Sequence, residues 1–151
     1  RGGSARRQCV ACAGRVATAT DRAERRARRP EGDGAIRAPD RAGLEAGVCA
    51  DNPAQIGAAA ALGPASGAVE PPELIGGDVS VATADPGIVE DAVAAAGDVD
   101  GSVAVYCGAG ISSGADVETA GALGASGVLV ASGVARADDP RAALEALADP
   151  L

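Results

Sequence analysis

The sequence predicts an α/β fold with a parallel sheet, made of four consecutive βα units over residues 44–151. Short apolar runs alternate four times with Ala-rich helical stretches, and each helical stretch has its own start or stop residue. Composition points the same way. With no Met, Trp or Phe and a single Tyr, the core must be built from Ala, Val, Leu and Ile, and such small residues suit helices lying close on a buried sheet.

In chain order, the first strand falls near Gly47 to Ala50, followed by Asn52 as N-cap and Pro53 as N1 of a helix to about Leu62, closed by Gly63. The second strand, Ser66 to Val69, delivers Glu70, and after a loop a helix runs from about Pro86 to Ala96, closed by Gly97. The third unit joins Val103–Cys107 to a helix from Ala115 to Leu123 through the loop Gly108–Gly114. The fourth joins Gly127–Val130 to a helix from Asp139 to Leu147 through the turn Ala131–Gly133, with Pro140 in the first helical turn. A short helix over 33–43 precedes them, with Pro39 kinking it.

At 151 residues the chain has room for one domain with a core. Its net charge of -8 is unevenly divided. Eleven of the thirteen Arg lie in residues 1–41 beside five acidic residues, giving that stretch +6. Residues 42–151 carry two Arg against sixteen Asp or Glu, which is -14. A lysine-free acidic surface argues against nucleic acid as a partner and fits a protein kept soluble in high salt. Residues 1–32 show no sustained period of 2 or 3.6 and read as a basic, poorly ordered arm, without the interleaved aromatics of a nucleic-acid arm. Nothing resembles a membrane span or a signal peptide, so the expected location is the cytoplasm.

Cys9-Val-Ala-Cys12 has redox or zinc spacing but lacks a second pair and a histidine, so no metal is expected. Cys49 and Cys107 fall inside predicted strands and read as small buried residues.

Chemistry concentrates at strand ends. Glu70 follows a small, uncharged strand, at the C-terminal edge where parallel α/β proteins place their sites. Pro71 pushes it towards an extended conformation and so sets the direction of its carboxylate. Taken alone, it reads first as a surface Glu in a proline-rich turn. Pro71 to Val81 has a stiff beginning and, through Gly76 and Gly77, a flexible end, which is how a lid is built. The loops Gly108–Gly114 and Ala131–Gly133 have no large side chains to keep an anion from their backbone N–H groups. Either loop alone reads as an ordinary glycine turn. Both follow the last strands of the series, where eight-stranded parallel barrels place a phosphate site.

Residues 44–151 resemble the C-terminal half of triosephosphate isomerase in its short archaeal form, with a halophilic character. The likeness rests on Cys49-Ala-Asp-Asn-Pro53, Val69-Glu-Pro-Pro-Glu-Leu-Ile-Gly76, Cys107-Gly-Ala-Gly-Ile-Ser-Ser-Gly114 and Gly127-Val-Leu-Val-Ala-Ser-Gly-Val134. It implies about four βα units of a TIM (β/α)8 barrel, formed by residues 33–151. It also implies interconversion of glyceraldehyde 3-phosphate and dihydroxyacetone phosphate, in glycolysis and gluconeogenesis, with no cofactor. Glu70 matches the catalytic base, and Ile75, Gly110, Ala131 and Ser132 match positions that hold the substrate, chiefly its phosphate. Pro71 to Val81 match the closing lid. The expected partner is a triose phosphate, with a second copy of the chain as a further candidate.

Asp21-Arg-Ala-Glu-Arg-Arg26 stands where the family has Asn-His-Ser-Glu-Arg-Arg, so Arg22 occupies the place of the electrophilic histidine. No apolar strand is expected in residues 1–20, and the family's earlier strands are absent. The chain therefore reads as a truncated or frame-damaged copy. Two functions compete: an isomerase, and an inactive half-barrel that keeps at most a phosphate site.

Overall fold

The computed structural model describes residues 8–9, 36, 45–77 and 79–149. Five strands form one sheet in sequence order: β1 (Gln8–Cys9), β2 (Glu45–Ala50), β3 (Ser66–Val69), β4 (Ala104–Cys107) and β5 (Gly127–Val128). Every neighbouring pair is parallel. The four expected βα units are present, and the chain forms a partial parallel barrel.

The helices begin where the sequence supplies caps. Asn52 accepts the Gln55 N–H at 3.0 Å and opens α1 (Pro53–Ala60), with proline in its first turn. Asp139 accepts the N–H groups of Arg141 and Ala142 and opens α6 (Pro140–Ala148). Between them lie α2 (Val81–Ala84), α3 (Pro86–Gly97), α4 (Gly114–Ala122) and α5 (Ser132–Ala135).

Three expectations need correction. A two-residue strand does occur within residues 1–20, because Gln8 and Cys9 pair with Glu45 and Ala46 along the edge of β2. Pairing with a neighbour fixes so short a strand, and no apolar period announces it. The stretch to Val81 ends in a helix, since Ser80 caps α2 by accepting the Ala82 N–H at 3.2 Å. Ala131–Gly133 opens α5, and β5 stops at Val128. The helix expected over 33–43 lies outside the described residues except for Ile36, which is helical and buried.

Residues in register along the strands share a face. On the outer face Val69 and Val105 pack with Ile56 of α1 and Ala92 and Ala96 of α3. A second cluster joins Cys107 to Val81, Val89, Ile111, Val117 and Leu147. Ile56, Val69, Val81 and Val89 are among the largest fully buried side chains, each worth about 1.5 to 3 kcal/mol in burial. Without aromatic bulk the helices come close: a Cβ on Gly57 of α1 would stand 3.2 Å from the Ala95 carbonyl oxygen of α3.

The inner face carries Cys49, Ala68, Tyr106 and Gly127 in one row. A cavity of about 110 Å3 opens there, with Ser66, Tyr106 and Leu129 among its lining. Of the two cysteines expected in strands, Cys107 is a buried thiol as expected, while Cys49 on this inner row is only half-buried.

Candidate functional site

Continuing the inner rows by one step brings Glu70 after Ala68 and Gly108 after Tyr106 to the C-terminal edge of the sheet. The Glu70 N–H donates to the Ala50 carbonyl at 2.8 Å, and the Gly108 N–H donates to the Val69 carbonyl at 3.0 Å. Both backbones thus extend the ladder beyond the strands proper. The Glu70 side chain lies directly over Gly108, where any Cβ would collide with its Oε1 and Cγ. Glycine at 108 is what leaves room for the carboxylate. Pro71, fully buried, fixes the chain immediately after it.

The segment after Glu70 turns through a 3-10 helix at Pro72–Leu74 and carries two exposed apolar side chains, Ile75 at 53% and Val79 at 51%. It then returns to the body of the protein. Ser80 is 2% exposed, the Val81 N–H donates to the Ala109 carbonyl at 3.2 Å, and Val79 packs its backbone against Gly110. Gly110 has φ +71, and a Cβ there would collide with the Val79 carbonyl. Ala109, at φ 70, is the one described non-glycine residue in the left-handed region.

The loop after β4 also meets the turn after β5. The Cβ position of Gly133 lies 3.6 Å from the Ile111 carbonyl oxygen, and Ile111, Val130 and Val134 share one cluster. Among the described residues no acceptor meets the N–H groups of Gly110, Ile111, Ser132 or Gly133. Glu70, Gly110, Ala131 and Ser132 therefore stand along one edge, while Ile75 projects from the segment above it.

Two features are not apparent from the sequence at first sight. Leu129 donates its N–H to the Cys107 carbonyl at 2.9 Å and lines the inner cavity. Its alternation with Gly127 was the available signal. The other is Asp116, whose carboxylate accepts the Ser112 N–H at 3.1 Å and the Ser113 N–H at 2.9 Å, with the Ser113 hydroxyl at 2.8 Å. Its partial burial pushes the carboxyl up, yet the hydrogen bonds from Ser112 and Ser113 together hold it below its ordinary 3.8. Ser113-x-x-Asp116 is a capping box and was legible as one.

Cys107 lies behind the site, facing the helices. Burial pushes its thiol up to about 11 against the Ala82 N–H, with Asp116 and Glu70 adding to the rise. It stays protonated at neutral pH and is no nucleophile.

Among the described residues no three His, Cys, Asp or Glu converge to hold a metal ion, and no helix is long and apolar enough to cross a membrane. Arg22, Glu24 and Cys12 lie outside the described residues.

The chain is similar to known isomerases over nearly its whole length. Triosephosphate isomerase of Halobacterium salinarum is 62% identical over 149 residues, 99% of this chain and 70% of that protein. The triosephosphate isomerases of Methanosarcina acetivorans and Methanobacterium bryantii are 45% and 46% identical over 140 and 142 residues, in each case 63% of the relative. The chain thus spans 63 to 70% of the length of these three relatives. The Halobacterium match also reaches into the basic segment, beyond the residues 44–151 that carry the motifs. The sequence model of the family matches residues 38–148, and with that extent of identity the chain belongs to the triosephosphate isomerase family.

Proposed function

We propose that residues 33–151 supply the base and phosphate portion of a triose-phosphate isomerase site, interconverting glyceraldehyde 3-phosphate and dihydroxyacetone phosphate in glycolysis and gluconeogenesis in the cytoplasm. The observation that carries the reading is the Glu70 carboxylate over Gly108, on the same edge as the open N–H groups of Gly110 and Ser132.

Glu70 takes a proton from one carbon of the bound triose phosphate and returns it to the neighbouring carbon, while a second proton passes from one of the two adjacent oxygens to the other, so the aldehyde and ketone exchange places. No electrons are gained or lost, and the reaction calls for neither metal nor organic cofactor. The phosphate is held between Gly110 and Ala131–Ser132, where backbone dipoles replace the missing lysines. Pro71 to Val81 closes over the substrate, and Ile75, exposed while the segment is open, becomes part of the wall that excludes water.

A second reading rests on a specific fact: these 151 residues contain no His and no Lys. A base alone contributes about 10² to 10⁴-fold, and stabilisation of the developing oxyanion is a separate contribution that is often greater. Arg22, always charged, is a partial substitute for a neutral imidazole. On that reading the chain is a half-barrel that binds triose phosphate without useful turnover.

A coupled isomerase assay on the purified chain beside Glu70→Gln, in high and low salt, separates the two. Turnover that Glu70→Gln abolishes supports the isomerase. Equal residual rates in both proteins overturn Glu70 as the base and leave the binding remnant.

A further inference from the structure

The sequence marks Gly108–Gly114 as one continuous anion loop, but in its second half the Ser112 and Ser113 amides are already taken. Asp116 Oδ2 accepts the N–H groups of Ser112 and Ser113, the Ser113 hydroxyl and, at 3.4 Å, the Ser112 hydroxyl. In return the Asp116 N–H donates to the Ser113 hydroxyl oxygen at 3.3 Å. The Ser112 and Ser113 amides stand immediately before α4, a nine-residue helix capped by Ser113, whose own first N–H groups, those of Gly114 and Ala115, have no acceptor among the described residues. A phosphate approaching that terminus meets a carboxylate that already holds the Ser112 and Ser113 N–H groups. Like charges at such distances repel, and no lysine lies in the chain to offset them.

The first half of the loop is different. Gly110 and Ile111 keep their N–H groups open, and Ile111 adjoins Gly133. This stretch is tied at both ends, through the Ala109 carbonyl to Val81 on one side and through Ser112 and Ser113 to Asp116 on the other.

We propose that Asp116 is a positioning residue for the phosphate site: its carboxylate occupies the Ser112 and Ser113 amides, sets a negative charge before α4 and thereby confines phosphate to the groove between Gly110–Ile111 and Ser132–Gly133. The proposal rests on the phosphate reading given above and names what limits that site. Asp116 touches no substrate and acts through the loop.

The test follows backbone amide shifts in the full chain as inorganic phosphate is added, for wild type, Asp116→Ala and Asp116→Glu, with thermal unfolding recorded for each. In the wild type, the amides of Gly110, Ile111, Ser132 and Gly133 should respond and those of Ser112 and Ser113 should not. In Asp116→Ala, the Ser112 and Ser113 amides join the responding set as phosphate spreads to the opened helix terminus. Asp116→Glu, which supplies the usual capping-box acid, restores the wild-type pattern. Should the alanine variant fail to fold, Asp116→Asn removes the charge that repels phosphate and weakens the hold on both amides, because a neutral amide oxygen is a poorer acceptor than a carboxylate, and should show the same spread. A fall in the melting temperature with Ser112 and Ser113 still silent would mean a purely structural cap and would overturn the proposal. A wild type whose Ser112 and Ser113 amides respond would also overturn it. If phosphate moves no amide in the wild type, the phosphate site itself is refuted, and this proposal with it.

Discussion

Gly76 and Gly110 have nearly the same backbone, φ +76 and φ +71, in two loops that leave the same edge of the sheet. Their surroundings are opposite. A Cβ on Gly76 would meet nothing within 4 Å, whereas one on Gly110 would collide with the Val79 carbonyl. The loop after β3 thus uses glycine for conformational freedom in open space. The loop after β4 uses it to let another backbone approach. One carries the exposed Ile75 and Val79, and the other is held by Asp116, Val81 and the Ile111 cluster. The proposed function puts both loops at one substrate site, but their surroundings give them separate tasks. The first stands open to solvent and the second is tied to its neighbours.

The largest expected effect breaks the second loop. Gly110→Ala adds a backbone collision to an unfavourable φ and should cost about 3 kcal/mol or more, read as a lower midpoint in urea unfolding of the full chain. A cost below that of Gly76→Ala would invert the comparison.

The next effect depends on pH. Asp116 titrates below its ordinary value in the folded protein, so its contribution to stability is fully present above the unfolded pKa, near 3.8, and is lost as pH falls through the lower folded value. Wild type should lose stability relative to Asp116→Asn in that acid window, and the two curves should run parallel above about pH 5. Parallel curves throughout would mean that the Ser112 and Ser113 hydrogen bonds do not discriminate between the charged and neutral carboxyl.

The smallest effect belongs to the first loop. Gly76→Ala meets open space and bears only the left-handed penalty, about 1 kcal/mol, in the same unfolding measurement.

The four βα units were legible because their signals are local. Asn52-Pro53 and Asp139-Pro140 mark helix starts through side-chain chemistry acting over three residues, and the apolar runs mark the strands. What was missed depends on neighbours or on very short spans. Gln8–Cys9 is a strand only through pairing with β2, and four-residue helices such as Val81–Ala84 and Ser132–Ala135 are too short to show a 3.6 period. The basic segment carries neither period, and its inclusion in the Halobacterium match came from comparison alone. At the site, the position of Glu70 at a strand end was readable, but its placement over Gly108 required the register between β3 and β4. The self-occupied terminus of α4 was written in Ser113-x-x-Asp116, yet the glycines around it suggested an open anion loop.

Hydrogen exchange at single amides tests the contrast between the two loops most directly, with and without a triose phosphate. The account predicts slow exchange for Val81, Ser112 and Ser113 in both states, because each N–H has an acceptor within the protein, and fast exchange for Gly76 that slows when ligand is present. Equal protection of Gly76 and Ser113 in the free protein, or a ligand effect confined to Ser112 and Ser113, would contradict it.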